Sequence, residues 1–374
     1  MKDTDNKANK HYQALLRNIL GADSINIPLN GESNNLIGAL AHKGDFEDFK
    51  SNFELLLKDL KEKYEIDSIR ETLTKIANSK TWMGAYAELV ALSVLKNDYS
   101  GDILTNVTLK EEMSFAKECK KKFTNEDGYW RDFDVYFDTK ILSNPIKAIL
   151  KGIENRALVK ASPTDQCSIL AEYPMDDDDA EYSKNIAQIE KELVDALTTK
   201  KTFVKISTLK KLSFRLHWGS GINSVTMEYS PFRDVEKSKD LILKRYANKL
   251  LKNKPFFLVF VNFPWFHQVV KDFAKMNECY YRALARRTFI QYEHSREKAK
   301  NKIEKYTGKE SMRLLARRLT GIIFIEDHSI NETKDKYHTY IYLNPNAHNK
   351  CKSMKLYLEQ LANKMYDDFQ YDNY

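Results

Sequence analysis

Several carboxylates in this sequence are placed where they could hold a metal, although alternating aspartates on a strand are most often just its solvent face. Glu88 lies inside WMGAYAELVALSVL (Trp82 to Leu95), a run apolar on nearly every side. An ionised carboxylate in such a helix is costly unless an ionic partner or a metal satisfies it. The competing explanation is a core glutamate paired with a buried Arg or Lys. Asp132, Asp134 and Asp138 recur at every second or fourth residue of RDFDVYFDTK, and Glu172 ends the short apolar run CSILAE. Two or three carboxylates on neighbouring strands can hold a hard divalent cation such as Mg²⁺, which takes oxygen ligands and keeps several waters. Beside a phosphodiester, such an ion lowers the pKa of bound water and stabilises charge on the phosphate and leaving oxygen.

The elements that must carry these residues follow from periodicity. Residues 1 to about 80 read as helices: His11 to Leu20 is amphipathic, and Asp45 to Lys63 places Phe46, Phe49, Phe53, Leu56, Leu57 and Leu60 at helical spacing. Trp82 to Leu95 reads as a buried helix and Ile103 to Leu109 as a strand. A charged, lysine-rich loop is expected from Lys110 to Trp130. In RDFDVYFDTK, alternation puts Phe133, Val135 and Phe137 on one face and Asp132, Asp134, Tyr136 and Asp138 on the other. Cys167 to Glu172 and Thr202 to Ser207 read as strands. The helix between them aligns Tyr182, Ile186, Ile189, Leu193 and Leu197. Lys237 to Leu251 is a basic amphipathic helix, and PFFLVFVN (Pro255 to Asn262) a strand buried on both faces. GIIFIED and YHTYIYL form a closing strand pair before a last helix from Ser353 to Phe369. The fold expected is α/β: a mixed central β-sheet flanked by helices, with a helical N-terminal region (1–80), a core (81–265) and a basic mixed C-terminal region (266–374).

The order helix with a buried Glu, strand, strand with Asp, strand with Glu, helix, strand resembles the PD-(D/E)XK restriction-endonuclease-like superfamily. The resemblance covers roughly residues 81 to 265. It implies that Glu88 matches the acid of the family's first helix, Asp134 (with Asp132 as alternate) the aspartate of its second strand, and Glu172 the first residue of the (D/E)XK element. These would hold Mg²⁺ or Mn²⁺. The family's lysine falls two residues after that acid, where this chain has Pro174. A relocated lysine, Lys184 or Lys205, would then serve the water. DTK at Asp138 to Lys140 offers the letters DXK but lies on the same strand run as Asp134, only four residues on, too close for the usual geometry. By the same resemblance the chain is expected to be a metal-dependent DNA endonuclease in restriction or anti-phage defence, acting as a homodimer or with a partner defence subunit. Pro174 favours the alternative of a catalytically degenerate relative that binds DNA or a protein partner.

Composition is compatible with this. The chain has 374 residues, 42% hydrophobic and 30% charged, and a net charge of +7 that suits a polyanionic partner. Lys244 and Arg245, with Arg286 and Arg287 near Tyr280, Tyr281 and Phe289, and Arg317 and Arg318, suit phosphate contacts and base stacking, or simply solvated helix faces. Arg287 and His294 fit an R-x6-H spacing found in a helical class of ribonucleases, a third reading. Asp176 to Asp179 reads as the capped, acidic start of a helix, and Glu228 as a distant alternative ligand. The four cysteines form no CxxC pair, which argues against a zinc knuckle or disulfide framework. No HExxH, GxxxxGK[ST] or GxSxG motif occurs. The polar N-terminus and short apolar runs predict a cytoplasmic protein without membrane association.

Overall fold

The structure is a computed structural model and describes residues 2–21, 35–41, 46–78, 80–117, 125–142, 145–173, 179–219, 232, 235, 241–263, 276–293, 312–330 and 334–367. The chain divides into two compact units: Met1–Leu142 with Ile242–Tyr374, and Ser143–Leu241.

The first unit is built on a seven-stranded mixed sheet flanked by helices. Its strands, in spatial order, are β1 (Ile103–Val107), β2 (Glu126–Trp130), β3 (Val135–Ile141), β7 (Phe256–Asn262), β8 (Gly321–Asp327), β9 (Tyr337–Leu343) and β10 (Lys364–Tyr366). β1, β2 and β3 form an antiparallel meander; β3, β7 and β8 run parallel. β9 returns antiparallel to β8, and β10 lies parallel to β9. Every residue of β7 and β8 is buried, as expected of central parallel strands covered on both faces.

The N-terminal region is helical. In α3 (Glu47–Lys63) the 3–4 spacing buries Phe49, Phe53, Leu56, Leu57 and Leu60. The helix begins at Glu47, two residues later than the expected Asp45, and Phe46 ahead of it is left-handed (φ 59°) and 47% exposed. α5 (Trp82–Leu95) buries ten of its residues. Tyr86, on this helix, stacks on Phe53 (ring centroids 6.1 Å apart) and packs against Phe263 (5.3 Å). α5 thereby joins the N-terminal helices to the sheet in one hydrophobic core.

The second unit contains α6 (Pro145–Ala161), β4 (Cys167–Glu172), α7 (Asp179–Lys184), α8 (Ile186–Thr198), β5 (Phe203–Lys205) and β6 (Ser213–Trp218). Its three strands form a separate antiparallel sheet in the order β4, β6, β5. Ile146, Leu150, Ile153, Tyr182, Ile189, Leu193, Leu197 and Phe214 make its own core.

This partition corrects the sequence reading at two points. The strand bearing Glu172 does not continue the sheet after β3, whose neighbours are β2 and β7. Residues beyond 266 are not a separate region, because β8, β9 and β10 extend the sheet that β3 and β7 begin. Long-range parallel pairing is invisible to periodicity, which reports only which faces are apolar. No described helix is long and apolar enough to cross a membrane.

Candidate metal and phosphodiester site

Acids and lysines concentrate where β2 and β3 run side by side. Pairing places Gly128 opposite Phe137 and Trp130 opposite Val135, so the start of β2 meets the end of β3. Asp138, on β3, is 0% exposed. An unpaired anion there would cost several kcal/mol, and two lysines prevent it. Lys140, two residues on along the same strand, pairs with Asp138 and reaches Asp127 at 4.0 Å. Lys249 lies in the 3₁₀ turn Ala247–Lys249. It is 7% exposed, pairs with the other Asp138 oxygen at 2.8 Å, and stands 3.7 Å from Glu126. Its ammonium also donates to the Asn125 carbonyl. Asp127 is held by backbone as well: its Oδ2 accepts the N–H of Thr139 at 2.7 Å.

Glu88 approaches from α5. Thr72 donates its hydroxyl to Glu88 Oε1 at 2.9 Å, and the charges of Lys75, Asp138 and Lys140 act on it. The glutamate inside the apolar helix thus has a hydroxyl donor in Thr72, and the charges of Lys75 and Lys140 favour its ionised form.

The electrostatics are lopsided. Four carboxylates, Glu88, Glu126, Asp127 and Asp138, face two lysines, Lys249 buried and Lys140 part-buried, with Lys75 nearer the surface beside Glu88. Burial and then the charge of Asp138 push Glu126 well above the usual carboxylate range. Asp127 is raised in the same way and by the same causes, although 23% of its side chain stays exposed. Glu88 is raised chiefly by burial. Burial opposes the ammonium of Lys140, but Asp138 and Asp127 outweigh it and raise its pKa. Among the described residues neither Glu126 oxygen has a hydrogen-bond donor. An excess of crowded anions is relieved either by protonation or by a cation. The donor set, carboxylate oxygen throughout, suits a hard ion such as Mg²⁺ or Mn²⁺. The oxygens of Glu88, Asp127 and Asp138 are not gathered to ligand spacing. Among the described residues only Glu326, His328 and His338 bring three ligand atoms within 4.8 Å of one another.

Most site residues expected from sequence lie elsewhere. Asp134 does not lie within a strand. It occupies a left-handed conformation (φ 55°) ahead of β3, pairs with Lys254, and accepts the Tyr129 hydroxyl at 3.0 Å. Asp132 is in the 3₁₀ turn Arg131–Phe133 and accepts the Asp102 N–H at 3.3 Å. It fills the space beside Gly101, where a Cβ would stand 1.9 Å from its Oδ2. Glu172 belongs to the second unit, half-exposed and paired with Arg215 at 2.7 Å. Lys184, at the end of α7, and Lys205, on β5, belong to that unit too. Pro174, Asp176 to Asp178, Glu228 and His294 lie outside the described residues.

The proposed nucleic-acid contacts are mixed. Arg317 is engaged by Glu293 through two bonds of 2.8 and 2.6 Å, and Arg318 donates to the Lys252 carbonyl, so both serve internal contacts. Arg286 and Arg287 are part-buried on the helix Met276–Ile290, and Lys244 and Arg245 lie on the helix Leu241–Tyr246.

Sequence reasoning missed Glu126 and Asp127, set Asp138 and Lys140 aside as too close to Asp134, and gave Lys249 no place beside the acids. The signal was present as an aspartate, ten intervening residues and D-x-K. It was obscured because Glu126–Trp130 reads as loop. No family model matches the chain, and no curated protein or solved structure matches it either.

Proposed function

We propose that the chain is a divalent-metal-dependent phosphodiester hydrolase of the PD-(D/E)XK type, acting on DNA, with Asp127, Asp138 and Lys140 as its signature and Glu88 as the helix acid. The observation that carries this reading is the placement of Asp127 against the backbone of the Asp138-Thr139-Lys140 segment on the adjacent antiparallel strand. Glu126 stands where the motif's proline would be.

In this reading Asp127 and Asp138 hold the cation, assisted by Glu88. The cation's chemistry is to acidify a water and neutralise charge on the phosphate. Lys140, kept protonated by Asp138 and Asp127, orients that water and stabilises the developing negative charge. Lys249 and Glu126 form a neighbouring pair that positions Asp138. The net charge of +7 favours a polyanionic substrate.

The test is cleavage of supercoiled plasmid by the purified chain in Mg²⁺, Mn²⁺ or EDTA, beside Asp138→Asn and Lys140→Met. Metal-dependent nicking lost in both variants is the expected result. Nicking that persists in both would sink the assignment. A second reading, a non-catalytic DNA-binding relative, draws on the occupation of Asp138 by two ammonium groups. It predicts DNA retention in a mobility-shift assay with no nicking in any metal.

A further inference from the structure

A different group of side chains gathers at the far end of β8. Glu326 is 3% exposed, and a carboxylate so buried requires partners. The Tyr281 hydroxyl donates to its Oε1 at 2.9 Å, and Asn262 Nδ2 in turn donates to the Tyr281 oxygen at 2.7 Å. The second oxygen, Oε2, faces two imidazoles: His328 Nε2 at 3.4 Å and His338 Nδ1 at 4.0 Å. The Tyr340 hydroxyl reaches the same oxygen at 3.4 Å. The arrangement follows from register. His338 lies directly opposite Glu326 in the antiparallel β8–β9 pair, and His328 follows Glu326 by two residues. The two rings are 4.9 Å apart.

We propose that Glu326, His328 and His338 form a binding site for a zinc-class divalent transition-metal ion, with a fourth coordination position open to solvent. Two imidazoles and one carboxylate are the donors that zinc and its first-row neighbours take, whereas Mg²⁺ prefers oxygen alone. With metal–ligand bonds near 2.0–2.1 Å, tetrahedral ligand atoms stand about 3.3 Å apart. Here all three atoms lie within 4.8 Å of one another, so shifts on the order of 1 Å complete the geometry. The side chain of His338 is 34% exposed and that of His328 16%, which leaves an approach from solvent. The Asn262–Tyr281–Glu326 chain fixes the carboxylate from behind, the role that outer-shell hydrogen bonds play in metal centres.

The site is separate from the Asp127–Asp138 cluster. Asp138 is in register with Leu258 and Ile322 across β3, β7 and β8, and Glu326 lies four residues beyond Ile322. Strand spacing and rise put the two about 16 Å apart, too far for a two-metal centre, whose ions are about 4 Å apart. The ion would instead fasten the end of β8 to the start of β9, whatever the chain's activity.

The test uses the full chain after dialysis against a chelator. Co²⁺ is titrated in and visible ligand-field absorption followed, with Zn²⁺ then added in competition. One equivalent of Co²⁺ giving the intense bands of a tetrahedral site, displaced by Zn²⁺, is expected. That signal should vanish in His328→Ala and in His338→Ala, persist in Asp138→Asn, and weaken roughly 10- to 100-fold in affinity in Tyr281→Phe. Far-UV circular dichroism checks each variant's fold. Half-exposed His338 decides the matter if His328→Ala does not fold. Absence of tetrahedral Co²⁺ bands in the wild type, or the same bands in His338→Ala, would overturn the proposal.

Discussion

Asp127 Oδ2 accepts the backbone N–H of Thr139 at 2.7 Å, so an acid from one strand is fixed to the backbone between Asp138 and Lys140 on the next. The bond makes the spacing of the three functional groups a property of strand pairing rather than of loop conformation. Asp127→Ala should therefore do more than remove a ligand, since it also frees the Thr139 N–H. Asp127→Asn retains an acceptor and should keep wild-type thermal stability to within about 1 kcal/mol while losing plasmid nicking.

Lys140→Met should reduce the cleavage rate on the order of 10²- to 10³-fold, the usual loss when one charge-stabilising group is removed, with Mg²⁺ affinity retained. Single-turnover rates beside calorimetric Mg²⁺ titration separate the two effects. A variant that loses Mg²⁺ affinity and rate together would show that Lys140 only supports the acids.

Asp134→Ala and Glu172→Ala, combined, should leave cleavage within about threefold of wild type, a difference under 1 kcal/mol in barrier. Both acids are tied to local cations, Lys254 and Arg215. Loss of nicking in this double variant, with the fold intact, would restore the assignment drawn from sequence alone.

That contrast marks what was legible in the sequence. The need of Glu88 for a partner was, because a charge inside an otherwise apolar helix demands one, and the Thr72 hydroxyl supplies it. The buried central strand at Phe256–Asn262 was too, because strands covered on both faces are apolar without alternation. β2 was not. Glu126–Trp130 combines two acids and a glycine, residues depleted in strands, and forms because its neighbours pair with it on both sides. With β2 read as loop, Asp127 had no strand to stand on. The alternation of RDFDVYFD then drew the second-strand aspartate to 132 or 134, where the backbone is a 3₁₀ turn ending in a left-handed residue. Asp138, expected on a polar face, is buried because Lys140 and Lys249 neutralise it.

Lys249→Met should lower stability in metal-free buffer by about 3–5 kcal/mol, the usual penalty for breaking a buried pair. Mg²⁺ should recover part of this, since a cation bound at Asp138 replaces the lost charge and stabilises the folded state by mass action. Thermal melts with and without Mg²⁺ should show a larger metal-induced shift in Lys249→Met than in wild type. Equal shifts would count against cation binding at Asp138.

Acid should weaken the second unit through Glu190. Hydrogen bonds from Lys160 and Arg156 hold this glutamate below the usual carboxylate range. Because its folded pKa is depressed, its contribution is fully present above the unfolded value, about 4.3. It is lost as pH falls through the folded value. Urea unfolding of wild type and Glu190→Gln should differ at neutral pH and converge once the pH has fallen below the depressed folded value. A gap that persists there would assign the effect to packing.

The main sheet is interrupted at its centre: β3 and β7 are hydrogen-bonded neighbours, yet the whole second unit lies between them in the chain. During synthesis at about 5–20 residues per second, β3 leaves the ribosome roughly 5–20 s before its partner. In that interval the intervening segment, which owns a sheet and a core, can finish folding, while Asp138 waits on an open strand edge without Lys249. The nascent chain therefore carries this acid–lysine cluster half-assembled through the translation of another module. A chaperone that shields the β3 edge would act at that stage.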